Sequence, residues 1–293
     1  RSARNLWLLI ASIVFYAWGE PKFVLVMLAS IIFNYFAALF ISFLTGKNKK
    51  IVLITAIILN LILIFVYKYA NFVTSTARSI FPSWQGIIPQ TSFILPIGIS
   101  FFTFQSISYI IDVYRGVKVQ KNLINMALYI AMFPQLIAGP IVRYETVAQQ
   151  ISYRKESLSL FASGVERFLI GFAKKMLLAN LFAVTADKYF GTSELSICGA
   201  WLGAVCYTFQ IFFDFSGYSD MAIGLGRIFG FEFLENFNYP YISRTITEFW
   251  RRWHMSLGSW FRDYLYFPLG GSRVSTKTRL VFNLSIVWFA TGV

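Results

Sequence analysis

The chain contains a single histidine, His254, within the segment Glu248-Phe-Trp-Arg-Arg-Trp-His-Met-Ser-Leu257. Among the side chains, imidazole is the one best suited to move protons near neutral pH, which makes His254 a candidate for acid–base chemistry. Arg251 lies three residues earlier and favours a neutral imidazole that can accept a proton. The alternative interpretation is that His254 is only a hydrogen-bonded packing residue.

The composition around this histidine is that of a membrane protein. Hydrophobic residues make up 57% of the 293 residues and charged residues only 13%, whereas about 25% charged residues are usual in soluble domains. The net charge of +13 gathers at the ends of apolar runs, as is typical of loops that follow the positive-inside rule. The sequence therefore predicts an all-α, polytopic protein in a lipid bilayer and argues against a nucleic-acid partner.

The apolar runs and the breakers between them predict seven membrane spans and the start of an eighth near residue 279. The spans are expected near 5–19, 22–44, 50–67, 92–114, 122–142, 159–184 and 197–213. Residues 71–91 contain two prolines and a glycine, and we expect an extramembrane loop there. The whole chain, 1–293, is interpreted as a single transmembrane domain that is truncated at both ends.

Two predicted spans carry helix breakers, in Leu95-Pro-Ile-Gly-Ile-Ser-Phe-Phe-Thr-Phe-Gln105 and in Phe133-Pro-Gln-Leu-Ile-Ala-Gly-Pro-Ile-Val-Arg143. Non-helical backbone at membrane depth is tolerated only where protein buries it or where it lines a wet cavity. Each break is therefore either a proline kink in a packed bundle or a re-entrant wall of a tunnel.

A third segment, Asp214-Phe-Ser-Gly-Tyr-Ser-Asp-Met-Ala-Ile-Gly-Leu-Gly226, places two carboxylates six residues apart directly after an apolar run. Paired acids suggest acid–base work or a cation site. No further oxygen ligands are evident, so a metal site is not expected. Helix capping by Ser216 or Ser219, with both aspartates paired to arginines, is the commoner explanation.

Residues 241–264 predict one amphipathic helix at the membrane interface. At 100° per residue, nine large apolar residues form a stripe about 120° wide, whereas Arg244, Glu248, Arg251 and Arg262 lie on the far side. His254 is placed at the rim of the stripe, and Gly258 is a candidate for a break in the helix.

Four of these segments resemble the membrane-bound O-acyltransferase family. They are Phe133–Arg143, Asp214–Asp220, Asn236-Phe-Asn-Tyr-Pro-Tyr241 and Glu248–Leu257. The further segment Trp260-Phe-Arg-Asp-Tyr-Leu-Tyr-Phe-Pro-Leu-Gly-Gly271 is similar to the bacterial branch that acetylates alginate or peptidoglycan.

The resemblance implies a bundle of spans around a central tunnel, with helix 241–264 at its cytoplasmic mouth. It implies transfer of an acyl group, most simply acetyl, to hydroxyls of an exported cell-surface polysaccharide such as alginate or peptidoglycan. The donor would be an acyl thioester, acetyl-CoA or an acyl carrier, used as a substrate on the cytoplasmic side, with no bound cofactor and no metal. An exported accessory acetyltransferase and a location in the bacterial cell membrane are also implied.

In that family the catalytic histidine follows a Thr-Gly-aliphatic tripeptide, and this chain ends at Thr291-Gly292-Val293. The resemblance therefore places the catalytic base beyond Val293, and the 293 residues alone are expected to lack acyltransferase activity. His254 matches the second polar position of the family and is expected to support catalysis. The candidates for substrate or donor binding are Arg251, Arg252, Trp253, Asp214, Ser216 and Gln210.

Two other classes of function fit parts of the sequence. A transporter or flippase for a polysaccharide or lipid-linked sugar would also use spans broken by proline and glycine. A scaffold for assembly is a weaker possibility. Of these, only the acyltransferase requires a site centred on histidine, so the surroundings of His254 discriminate between them.

Overall fold

The computed structural model describes residues 2–84, 86–137 and 139–292, and these residues form helices and loops without a β-strand. Four helices within this part of the chain are long and apolar enough to cross a membrane. The prediction of an all-α, multi-pass membrane protein is therefore confirmed. The eleven helices discussed below are α1 (Ser2–Gly19), α2 (Val24–Phe43), α3 (Gly46–Ile80), α4 (Ile99–Arg115), α5 (Leu123–Ala131), α6 (Tyr144–Tyr153), α7 (Leu158–Phe190), α8 (Ile197–Ile228), α9 (Ile246–Arg252), α10 (Met255–Phe261) and α11 (Lys277–Gly292).

The described residues divide into two compact units. The first contains 2–137 and 143–152, and the second contains 139–142 and 153–292. The central tunnel and the single domain over 1–293 stay predictions.

In the first unit, α4 packs against both α2 and α3, and α5 packs against α1 and α2. A reciprocal amide pair joins α2 to α3. The Nδ2 of Asn34 donates to the Oδ1 of Asn60 at 3.0 Å, and the Nδ2 of Asn60 donates back at 2.8 Å. Both side chains are buried, and the pair satisfies polar groups that would be costly to leave unpaired among apolar helices.

Three boundaries predicted in this unit are wrong. The loop expected at 71–91 begins only after Ile80, because α3 continues through a π-helical turn at Phe65–Tyr69. The span expected from residue 92 begins at Ile99, after Gly98 in the left-handed region at φ 77°. The span expected at 122–142 is a nine-residue helix, α5, whose last six residues are buried, followed by one helical turn at Phe133–Leu136. Nine residues cover only about 14 Å.

In the second unit, α7 and α8 form an antiparallel pair with glycines at the contact. A Cβ added at Gly171 would lie 2.5 Å from the carbonyl oxygen of Gly217, and one added at Gly164 would lie 2.7 Å from that of Gly224. Small residues at this spacing let two backbones approach closely, as is common between helices in membranes. The α7–α8 contact is thus set by four glycines.

Helix α8 also corrects a prediction, because it continues through Ile228 rather than ending at residue 213. Ser196 caps its N-terminus by accepting a hydrogen bond from the backbone N–H of Gly199 at 3.1 Å. Ser216 and Ser219 therefore lie in the middle of a 32-residue helix, and the prediction that either of them caps a helix is wrong.

Candidate active site

The segment around His254 is not one helix. Helix α9 ends at Arg252, Trp253 is extended, and His254 precedes α10 in the left-handed region at φ 44° and ψ 53°. The predicted continuous helix over 241–264 is therefore wrong, and the break lies at Trp253–His254 rather than at Gly258. For a non-glycine residue this conformation costs about 1–2 kcal/mol, so the surrounding structure must hold it in place.

Backbone hydrogen bonds on both sides of His254 hold the break. The N–H of Met255 donates to the carbonyl oxygen of Asn236, and the N–H of Asn238 donates to that of Arg252, each at 2.9 Å. We call this pair of bonds the backbone bracket. Neither the N–H of Met255 nor the carbonyl of Arg252 can make a helical hydrogen bond across the break. The loop 236–238 supplies a partner for each of them.

The imidazole of His254 lies against the ring of Phe215 on α8. The ring centroids are 4.6 Å apart and the planes meet at 83°. The Nε2 of His254 is buried and has no hydrogen-bond partner among the described residues. Burial lowers the pKa of His254 from 6.5 to about 4, so the side chain is neutral at physiological pH.

The prediction of a neutral imidazole is thus supported, but for a different reason. Arg251 was expected to repel the proton, whereas its side chain is exposed and the loss of hydration on burial is the cause. A pKa of about 4 also makes His254 a weak base at neutral pH, since a general base works best with a pKa near the working pH.

Trp253 lies at the centre of an aromatic cluster within the second unit. Its ring is 5.0 Å from Phe237 and 5.7 Å from Phe249, measured between centroids. Its other aromatic neighbours are Phe212, Phe215 and Tyr241. Two of these rings meet Trp253 edge to face and Phe249 stacks on it, and such aromatic packing supplies much apolar contact, so Trp253 is suited to fixing this region.

Arg252 is held by protein groups. Its Nε donates to the Oε1 of Glu248 at 3.1 Å, and its Nη1 donates to the carbonyl oxygen of Asn238 at 3.2 Å. The carboxylate of Glu248 also accepts the N–H of Arg244, and this bond, followed by the contact with Arg252, lowers the pKa of Glu248. These contacts join α9 to the loop 236–238, whereas the side chain of Arg251 is exposed.

Asn236 connects three of the segments singled out in the sequence. Its Oδ1 accepts the N–H of Ser256 at 3.2 Å and the hydroxyl of Ser256 at 2.9 Å. The Oγ of Ser256 in turn accepts the N–H of Ile141 at 3.0 Å. Asn236 and Ser256 were not predicted as site residues, although both lie in segments that carry the family resemblance. The sequence could have indicated both, because each is a polar residue within a few positions of Pro240 or His254 in an otherwise largely apolar chain.

The carboxylates of α8 form ion pairs with α7. Asp220 is 5% exposed and accepts hydrogen bonds from the Nε of Arg167 at 2.9 Å and from the Nζ of Lys174 at 2.6 Å. Arg167 also binds Glu235, and Asp214 pairs with Lys175. The predicted pairing with arginine is confirmed for Asp220, whereas for Asp214 it is wrong, because the partner is a lysine. Within the described ranges, no group of three or more His, Cys, Asp or Glu side chains could hold a metal ion.

The remaining candidates on α8 are uncharged. The Oε1 of Gln210 and the Oγ of Ser216 are buried without a hydrogen-bond partner in the part of the chain described. Asp214 and Ser216 directly flank Phe215, whose ring contacts His254, whereas Gln210 lies five residues before Phe215.

The fold and the site define a class: a multi-pass helical membrane protein with one partly buried, neutral histidine. The model of the membrane-bound O-acyltransferase family matches residues 118–289, which include every candidate site residue. The chain belongs to this family.

Three relatives show where in the family it lies. It is 50% identical over 278 residues to a protein of Pseudomonas aeruginosa named probable alginate O-acetylase AlgI, covering 93% of this chain and 53% of that protein. It is 37% identical over 324 residues to a peptidoglycan O-acetyltransferase of Helicobacter pylori, covering 98% and 59%. It is 32% identical over 240 residues to a teichoic acid D-alanyltransferase of Bacillus subtilis, covering 78% and 57%. The chain therefore spans somewhat more than half the length of these relatives.

Proposed function

We propose that the protein containing this chain transfers an acetyl group from a thioester donor to hydroxyls of an exported cell-surface polysaccharide. Membership in the O-acyltransferase family supports acyl transfer. Identity is 50% to the relative named for alginate acetylation, 37% to the one named for peptidoglycan acetylation and 32% to the one named for D-alanyl transfer. This order favours acetyl as the acyl group and alginate or a similar polysaccharide as the acceptor.

The observation that carries the proposal is the buried, unpaired Nε2 of His254. Acyl transfer to a hydroxyl needs a base for the hydroxyl proton and donors for the developing oxyanion. With a pKa of about 4, His254 is too weak a base to take the proton alone at neutral pH. Its neutral imidazole can accept a hydrogen bond and orient the acceptor or a second histidine, which is the supporting role that the resemblance implies.

The other candidates would act around His254. Trp253 and Arg252 would fix the segment, because their contacts are with protein groups. Arg251 is exposed and would be available to a phosphate of the donor, for which arginine is well suited. Ser216, Gln210 and Asp214 would line the approach of a substrate along α8. We further propose that the donor binds from the cytoplasm, that an exported accessory acetyltransferase completes the modification, and that the enzyme works in a bacterial inner membrane.

The test uses the complete protein in membranes supplied with labelled acetyl-CoA or labelled acetyl carrier. His254→Gln keeps the approximate size of the side chain but places its hydrogen-bonding atoms differently from the Nε2 of the imidazole. We expect normal abundance and a loss of acetyl transfer of about 100-fold, because a misplacement of about 1 Å in an orienting group can lower a rate by that factor. Cys198→Ser, at an exposed position on α8, is the control and should transfer acetyl like the parent.

Two results would count against the proposal in different ways. Near-parental transfer by His254→Gln would remove His254 from the site. Absence of transfer by the parent from either thioester, with polysaccharide and accessory proteins present, would contradict the acyltransferase function itself.

A further inference from the structure

We propose that Asn236 is the positioning residue that holds His254 in its active conformation. The proposal rests on the proposed function of His254 and assigns a role to a residue outside the sequence motif that contains the histidine. Asn236 would not touch the reacting atoms. It would act through the backbone of His254 and through Ser256.

The first step is the conformation of His254 itself. Its φ of 44° is in the left-handed region, which an L-residue with a large side chain adopts only when its surroundings enforce it. The carbonyl oxygen of Asn236 accepts the N–H of Met255, the residue directly after His254, at 2.9 Å. The main chain of Asn236 thereby fixes the C-terminal side of the strained residue.

The second step is the side chain of Asn236, which is fully buried. Its Oδ1 accepts both the N–H and the hydroxyl of Ser256, and a backbone N–H can bond only to the oxygen end of an amide. The orientation of the amide is therefore determined. Since Ser256 also accepts the N–H of Ile141, one amide oxygen fixes the start of α10 to the chain around Pro140.

The third step concerns two buried polar atoms that these contacts leave without a hydrogen-bond partner. The Nδ2 of Asn236 and the Nε2 of His254 are both buried without a hydrogen-bond partner among the described residues. Most buried polar groups have a partner, and unpaired ones are a feature of sites that bind a water or a substrate. They lie on the two chain segments that the backbone bracket joins. Loss of Asn236 would therefore release the backbone that aims the imidazole.

The experiment is a double-mutant cycle on acetyl transfer in the complete protein, with the variants Asn236→Ala, His254→Gln and the combination. A misplacement of about 1 Å in a catalytic group can lower a rate about 100-fold, so we expect Asn236→Ala to lower kcat by roughly 10–100-fold with little change in KM for the donor. In the His254→Gln background, the same change should lower kcat by less than about 3-fold, because the group that it positions is already absent.

The matched control is Asn238→Ala, the same substitution two residues later. The side chain of Asn238 is exposed and only its backbone takes part in the bracket, so kcat should remain within about 2-fold of the parent. If Asn236→Ala does not accumulate in membranes, Ser256→Ala removes the hydroxyl that donates to Asn236 and Ser256→Thr restores it. We then expect loss of transfer in the first variant and recovery in the second.

A second readout needs no activity. Diethyl pyrocarbonate modifies accessible neutral imidazoles, and mass spectrometry locates the product at His254. We expect slow modification in the parent and in Asn238→Ala, and modification at least 10-fold faster in Asn236→Ala. If this pattern appears but the parent transfers no acetyl group, the positioning role stands and the proposed function fails. Equal modification of all three proteins, or losses of kcat that multiply in the double variant, would overturn the positioning role.

Discussion

The glycine contact between α7 and α8 makes a sharp prediction for Gly171→Ala. The new Cβ would lie 2.5 Å from the carbonyl oxygen of Gly217 and 2.7 Å from the backbone N of Met221. Ordinary contact begins at 3.4 Å, so the first distance is about 0.9 Å too short. Both opposing atoms belong to the backbone of α8, and neither can move aside as a flexible side chain would. The two helices must therefore separate.

The cost follows from this geometry. Forcing an extra methyl group into a packed contact usually costs about 1–3 kcal/mol, and the upper half of that range applies where rigid backbone must move. The same Cβ would also lie 2.9 Å from the Cβ of Asp220, so separation of the helices lengthens the ion pairs to Arg167 and Lys174. We expect Gly171→Ala to destabilise the folded protein by about 2–3 kcal/mol.

The assay is thermal stability in detergent, followed by fluorescence-detected size exclusion. The matched control is Gly19→Ala, at the end of α1, where an added Cβ meets nothing within 4 Å. Gly171→Ala should unfold at a temperature roughly 5 °C or more below the parent, while Gly19→Ala should stay within about 2 °C. Equal midpoints for the two variants would refute the close approach of α7 and α8.

Two further predictions concern the site. Because burial lowers the pKa of His254 to about 4, the unfolded chain takes up a proton below pH 6.5 that the folded chain does not. The free energy of unfolding of the parent should thus be highest above pH 6.5 and fall by up to about 3 kcal/mol as the pH drops to about 4. The thermal midpoint of the parent should fall with it, whereas that of His254→Gln should not show this decline. Parallel pH curves would show that the imidazole is hydrated. Trp253→Ala should cost about 3–5 kcal/mol and lower the amount of monodisperse protein, because the ring contacts five other aromatic rings. Arg251→Ala, with an exposed side chain, should accumulate like the parent, and equal losses in both would contradict the packing of Trp253.

Helix α2 shows how well local hydropathy predicts a span. The sequence predicts 22–44, and the helix runs over Val24–Phe43, because apolar length alone decides whether a segment can cross a bilayer. Hydropathy alone does not predict α5 correctly. The apolar run at 122–142 was expected to cross the membrane, but it contains a nine-residue helix whose last six residues are buried in protein. An apolar side chain is satisfied equally by lipid and by a protein core, so the run itself cannot tell these two surroundings apart.

The helical wheel over 241–264 fails for a related reason. It assumes one continuous helix, and nothing within Trp253-His254-Met255 predicts a break, since no proline or glycine is present. The break is held by the backbone of Asn236, which accepts a hydrogen bond, and of Asn238, which donates one, and both residues lie about 15–20 residues earlier in the chain. Helix propensity and helical wheels depend only on residues that are close in sequence. They therefore cannot predict a break that is held by hydrogen bonds to a distant part of the chain.

The sequence by itself determined the helical membrane class, the family and the histidine that is the candidate for the site, because composition, apolar length and short motifs are local properties. Tertiary structure alone decided the state of that histidine. The residue after His254, whose backbone is left-handed, bonds through its N–H to Asn236, and the low pKa of His254 comes from burial, with Phe215 of α8 against its ring, rather than from the neighbouring Arg251. Both effects come from residues distant in sequence that meet only in the folded protein, where loss of water and fixed backbone hydrogen bonds set the chemistry of the imidazole.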